Sequence, residues 1–187
     1  LSFYVEFNRV MTINIIDREK YIASVVEAEA GLNKEEEFYK AQSLIIRTFA
    51  LAHLEKHKGE GFNLCDGTHC QAYKGKMGFD KSIYKATLAT AGQVIVDTTM
   101  QLITAAFHSN CGGFTANSQD VWVTPKPYLV SVVDRYCTGS RNATWETSIP
   151  LDKWKKFLQS KGVDTISITD VKGYNFKSKE RPVYYPI

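Results

Sequence analysis

At 187 residues and 44% hydrophobic content, the chain is long enough to bury a core and short enough to be one domain, since domains run about 100 to 200 residues. Its 23 basic and 20 acidic residues are mixed along the chain and sum to +3, which leaves no electrostatic footprint for nucleic acid. No stretch approaches the roughly 20 consecutive apolar residues of a membrane span, and a start at Leu1, with no initiator Met and no signal peptide, reads as a mature or trimmed fragment.

Residues 2–7 and 9–15 alternate apolar and polar side chains around Asn8, which predicts two paired strands. Asp17 is placed to cap a first helix that Gly31 ends. Within it Ile22, Val25, Val26 and Glu29 recur at i, i+3, i+4 and i+7, the face that packs inward, and Glu27 points to water. A carboxylate at the end of an apolar stripe loses hydration, and that loss favours the protonated form a general acid requires. The plainer reading of Glu29 is a half-exposed carboxylate paired with a nearby arginine.

Asn33, with Glu36 three residues on, predicts a capping box for a second helix whose last turn holds Lys56, His57 and Lys58 before Gly59. Its buried stripe is expected to comprise Phe38, Ala41, Leu44, Ile45, Thr48 and Ala52, with Gln42 and Arg47 close to that face. Residues 59–78 form a Gly-rich loop, long enough to be functional or tethered. Asp80 caps a third helix to about Ala91, with Ile83, Ala86, Thr87 and Thr90 on one face and Gly92 as its stop. Residues 93–97 and 100–107 predict a hairpin that delivers His108, Ser109, Asn110 and Cys111 to a strand end, where Gly112 and Gly113 allow a sharp turn. Residues 128–133 predict another strand, 150–161 a short amphipathic helix, and 163–187 further strands of the same domain. The fold class expected is α+β: a single domain, 1–187, with helices packed on a mainly antiparallel sheet and a disulfide- or metal-tethered loop.

Four cysteines permit two disulfides in three pairings. A bridge from Cys111 to Cys137 would pin the long segment between them, a constraint typically worth about 2–4 kcal/mol. Cys65 and Cys70 are near enough in sequence to pair locally. They are also spaced to share a zinc ion with His57 or His69. Two further readings concern function directly. Cys111 with His108 or another histidine suggests a cysteine hydrolase, which a disulfide at Cys111 would forbid. Tyr73, Trp122 and Trp145 offer faces on which sugars stack, the mark of a binding module.

Five runs of sequence carry a resemblance. Tyr21-Ile-Ala-Ser-Val-Val-Glu-Ala-Glu29 is followed by Lys40-Ala-Gln-Ser-Leu-Ile-Ile-Arg-Thr-Phe49, then by Cys65-Asp-Gly-Thr-His-Cys-Gln-Ala-Tyr-Lys-Gly75. Ala106-Phe-His-Ser-Asn-Cys-Gly-Gly-Phe-Thr115 and Tyr128-Leu-Val-Ser-Val-Val-Asp134 complete the order. Over residues 4–158 the chain resembles the SpoIID/LytB family, the stage II sporulation protein D domain of bacterial cell envelopes. The resemblance implies a lytic transglycosylase that cuts peptidoglycan between N-acetylmuramic acid and N-acetylglucosamine, leaving 1,6-anhydro ends, with Glu29 as the single acid and base. It implies a secreted or cell-envelope location, no required cofactor, and glycan contacts from Gln42, Arg47, Gln71, Tyr73, His108, Ser109 and Asn110. Relatives described as amidase enhancers supply the alternative, a non-catalytic peptidoglycan-binding module that activates a partner amidase. One departure stands beside the glutamate: Ala30 occupies a position that is often Met in the family.

Overall fold

The alternation at the N-terminus folds as a hairpin: β1 (Ser2–Glu6) pairs antiparallel with β2 (Arg9–Ile13), with Phe3 opposite Thr12 and Val5 opposite Val10. Asn8 turns the chain at φ 61°, a left-handed conformation that asparagine tolerates better than most residues. The computed structural model describes residues 1–6, 8–75, 80–140, 143 and 147–166. The chain divides into two compact units, Leu1–Phe107 and His108–Ile187.

Three helices build the first unit. α1 (Arg18–Ala30) starts at Asp17, whose carboxylate accepts the backbone N–H groups of Glu19 and Lys20, and stops at Gly31, φ 72°. α2 spans Glu36–Ala52, and α3 (Lys81–Ala89) is capped by Asp80 accepting from the Ser82 N–H. Ile22, Ala23, Val25, Val26, Tyr39, Ile46, Ile83 and Ala86 interlock as one core. The helices therefore pack on one another. The expected bed of antiparallel sheet is reduced, among the described residues, to the two-stranded hairpin and two isolated bridges.

This packing corrects two helix faces. α1 lies against both α2 and α3, so every residue from Ile22 to Glu27 is buried and its periodicity marks no single inner face. Glu27 is inside, accepting the Asp80 N–H at 3.0 Å, and Glu29, past the packed stretch, is exposed. On α2 the buried stripe is Tyr39, Ser43, Ile46, Arg47, Thr48 and Ala50, while Phe38, Ala41 and Ala52 face solvent and Leu44 and Ile45 are half-buried. The true stripe is partly polar because its polar groups find partners inside. Ser43 Oγ bonds the Tyr39 carbonyl at 2.8 Å and shares a 2.9 Å bond with Thr87 Oγ1.

The α2 ends also differ from expectation. Glu35 takes the cap position without a side-chain bond, and Asn33 sits in the loop at φ 60°. The Tyr39 hydroxyl organises that loop instead, accepting from the Lys34 N–H and donating to the Gly31 carbonyl. α2 stops at Ala52, and a 3-10 turn over Lys58–Glu60 carries His57 toward the cysteine loop. Residues 93–107 make a single bridge, Val96 to Leu102, around a turn in which Asp97 accepts the Thr99 and Gln101 N–H groups.

In the second unit, residues 128–133 form a bridge where a strand was expected: Phe114 pairs with Val133, and the Thr115 N–H donates to the Val132 carbonyl at 3.0 Å. α4 (Leu151–Ser160) begins at Pro150 as the sequence predicts and buries Leu158. Residues 163–166 form no strand, and 167–187 lie outside the described residues, as does Trp145.

Candidate functional site

Glu29 stands in the last turn of α1, one residue before the helix ends and two before Gly31. Its Oε1 accepts the Ala72 N–H at 2.9 Å, which fixes the carboxylate against the segment that leaves the cysteine loop. That segment brings two of the sequence candidates with it. Gln71 is buried, accepting from the Tyr21 hydroxyl at 3.2 Å and donating to the Ile46 carbonyl at 3.4 Å. Tyr73 packs its ring 5.3 Å from that of Tyr21, and its hydroxyl accepts from Asn14 Nδ2. Glu29, Gln71 and Tyr73 thus share one face of the first unit, with Tyr21 between them.

Tyr21 is a residue the sequence reading passed over, although it opens the same motif that ends in Glu29. Burial, together with the thiols of Cys70 and Cys65, pushes its phenol well above the ordinary tyrosine value. Its hydroxyl is therefore held as a hydrogen-bond donor. Glu29 itself is open to solvent, so the free protein does not supply the desolvation expected from the helical periodicity.

Behind the Gln71–Tyr73 segment lies a cluster of four donors, His57, Cys65, His69 and Cys70, whose ligand atoms all fall within 4.8 Å of one another. Cys70 Sγ is 3.4 Å from His57 Nε2, and Cys65 Sγ is 3.7 Å from His69 Nδ1. None of the four cysteines is joined in a disulfide. In place of a Cys65–Cys70 bridge, each sulfur here faces an imidazole. His57 Nδ1 bonds Glu60 Oε1 at 2.5 Å, so a carboxylate orients the imidazole from behind, as it does in many metal-ligating histidines. That bond is the main reason the His57 pKa is raised. Burial pushes the Cys65 thiol up, but its contacts with His69 and its other neighbours outweigh this and bring it down to about 6. Cys70 is pushed up, chiefly by burial. Two thiols and two imidazoles, one of them oriented by Glu60, fit a closed tetrahedral zinc site. Both histidines lie within the cluster, where the sequence left a choice of one.

Arg47 is displaced from the role expected of it. Its side chain is 0% exposed and reaches no open surface. Its Nη2 donates to Glu19 Oε2 at 2.6 Å and to the Thr87 carbonyl at 3.0 Å, its Nε to Glu19 Oε1 at 3.3 Å, and its Nη1 to the Gln93 carbonyl at 3.2 Å. A fork with every arm occupied inside the core ties α1, α2 and the end of α3 together. Gln42, half-buried on the same helix, keeps its Oε1 buried with no hydrogen-bond partner among the described residues, so that oxygen is not presented to a ligand at the surface.

His108 and Ser109 are exposed in the second unit. Asn110 is engaged locally, its Oδ1 accepting from the Gly112 N–H at 2.7 Å and its Nδ2 donating to the Cys137 carbonyl at 3.1 Å. Cys111 turns its thiol to Asp134 Oδ2 at 3.4 Å, and Cys137 donates to the same oxygen at 3.0 Å, where a disulfide between the two was expected. A buried thiol bonded to a carboxylate is not a hydrolase nucleophile presented to substrate.

Comparison with known proteins gives a consistent picture. Residues 6–96 match the family model SpoIID, Stage II sporulation protein. The chain is 29% identical over 171 residues to stage II sporulation protein D of Bacillus amyloliquefaciens, covering 83% of this chain and 50% of the relative. It is 31% identical over 139 residues to the stage II sporulation protein D of Bacillus subtilis strain 168, covering 65% and 39% respectively. An amidase enhancer of Bacillus subtilis strain 168 is 30% identical over 152 residues, 77% of this chain and 20% of that protein. The chain thus spans between 20% and 50% of the length of these curated relatives.

Proposed function

Because this chain belongs to the SpoIID/LytB family, we propose that it acts on bacterial peptidoglycan in the cell envelope, as a lytic transglycosylase in which Glu29 is both acid and base. The observation that carries this reading is the exposed Glu29 carboxylate, oriented through one oxygen by the Ala72 N–H beside Gln71 and Tyr73. Holding one oxygen aims the other at a bound glycan. The bound sugar covers the carboxylate and supplies the desolvation that the free protein lacks. Glu29 then gives its proton to the glycosidic oxygen between N-acetylmuramic acid and N-acetylglucosamine as the bond from C1 to that oxygen breaks. The muramic acid C6 hydroxyl bonds to C1, its proton returns to Glu29, and a 1,6-anhydro end is left with no water consumed.

A two-carboxylate hydrolase is the less favoured chemistry, because the other acids of α1 are committed elsewhere. Glu19 pairs with Arg47, and Glu27 is buried against the Asp80 N–H. Tyr73 is the group offered to the glycan, and Gln71 supports it through Tyr21. The fit of His57, Cys65, His69 and Cys70 supports a structural zinc ion whose part is to fix the loop from which Gln71, Ala72 and Tyr73 emerge.

Incubating the protein with purified glycan strands and weighing the products tests the proposal. New 1,6-anhydro ends are the result expected, and new reducing ends would instead mark a hydrolase. Unchanged glycan, together with faster cleavage by an added cell-wall amidase, would favour the binding and activating module suggested by the amidase enhancer relative.

A further inference from the structure

The second unit holds a donor cluster that glycan cleavage leaves unused. Cys111 Sγ lies 3.4 Å and Cys137 Sγ 3.0 Å from the same oxygen, Asp134 Oδ2, and the three donor atoms all fall within 4.8 Å of one another. We propose that Cys111, Asp134 and Cys137 form a second metal site, taking one thiophilic divalent cation of the zinc class. Tetrahedral zinc, with Zn–S of about 2.3 Å and Zn–O of about 2.0–2.2 Å, sets its S···O edges at about 3.5 Å. The Cys111 separation of 3.4 Å is near that value, and Cys137, at 3.0 Å, reaches it by moving out about half an ångström.

The backbone presents these donors independently of any ion. The Asp134 N–H donates to the Gly113 carbonyl at 2.9 Å and the Thr115 N–H to the Val132 carbonyl at 3.0 Å, so the cysteine turn and the Asp134 segment are zipped together. Asp134 Oδ1 accepts the Tyr136 N–H at 2.9 Å, which opens the 3-10 turn Arg135–Cys137 and leaves Oδ2 facing the sulfurs. That turn puts Cys137 three residues after Asp134, on the same side. Gly113, at φ 105°, allows the close approach, for a Cβ there would stand 3.0 Å from Thr138 Cγ2. Cys111 is only 2% exposed, so an ion here would be held from the protein side, and three protein donors leave a fourth position for water or a ligand atom. Three donors converging on one point suit an ion better than a disulfide, which uses two of them and leaves the carboxylate oxygen against sulfur without a proton to accept.

Zinc chloride is the probe. The chain, reduced and stripped of metal by a chelator, is alkylated with iodoacetamide with and without zinc, and each cysteine peptide is mapped separately from those of Cys65 and Cys70. Zinc should shield Cys111 and Cys137, and chelator should restore their labelling. Asp134→Asn should raise the zinc concentration needed for shielding at least about tenfold, with shielding in each protein read against its own labelling in the absence of zinc. Equal labelling with and without zinc, an unaltered zinc requirement in Asp134→Asn, or a Cys111–Cys137 disulfide in protein isolated without reductant would each overturn the site.

Discussion

Glu19 and Glu29 sit at opposite ends of α1 and meet opposite surroundings. Glu19 is buried and gives both oxygens to Arg47, itself fully enclosed and bonded onward to Thr87, Thr90 and Gln93. Glu29 is exposed and receives one backbone N–H from Ala72. The same side chain on the same helix thus holds the fold at one end and stands open to solvent at the other. What separates the roles is unspent bonding capacity, since a carboxylate already satisfied within the core has no oxygen to offer a substrate.

The largest effect should come from the buried end. Arg47→Met leaves the buried Glu19 carboxylate with only the exposed Arg18 guanidinium, 3.1 Å from its Oε1, as an ionic partner, which costs at most about 3–5 kcal/mol. Urea unfolding should register that loss, and adding Glu19→Gln should recover part of it. A stability change near zero would show that the Arg47 fork does not tie the helices together. Next comes the loop that carries Ala72 to Glu29. Glu60→Gln removes the carboxylate behind His57 and should weaken zinc binding about 10- to 100-fold, as measured by competition with a chelating dye. Unchanged affinity there would separate the cluster from any metal role.

Smaller again is Glu27→Gln, which weakens a charge-assisted bond to the Asp80 N–H and should cost about 1–3 kcal/mol of stability without touching glycan cleavage. Lost cleavage in an otherwise stable Glu27→Gln protein would move the acid from Glu29 to Glu27. The smallest effect concerns Tyr21. A phenol held protonated by burial contributes stability that is present below the unfolded value near 10.0 and fades as pH rises above it. Wild type should therefore lose more stability than Tyr21→Phe between neutral pH and the alkaline range, and parallel losses would remove Tyr21 from the buried network.

How much of this was legible in the sequence follows from how local each feature is. Asp17, Gly31, Asp80 and the hairpin around Asn8 act through bonds a few residues long, and all four are found where the sequence places them. The faces of α1 and α2 depend on a third helix, and α1 enclosed on two sides hides Glu27 while the end of the packed stretch releases Glu29. Periodicity has no means of distinguishing those cases. Arg47 looked like a ligand contact because a polar residue near an apolar face is ambiguous until its partner is known, and that partner lies 28 residues away at Glu19. The cysteine loop was half legible. Its spacing pointed to zinc or a disulfide, and only the path of the 3-10 turn over Lys58–Glu60 shows that His57 and His69 both reach the thiols.

The division of labour along α1 is tested most directly by Glu29→Gln, which keeps the shape and the Ala72 bond but removes the transferable proton. Release of 1,6-anhydro products from purified glycan and the free energy of unfolding should be measured on the same preparations. The account predicts cleavage lowered at least about a hundredfold with unfolding unchanged. Cleavage that persists in a folded Glu29→Gln protein would contradict it.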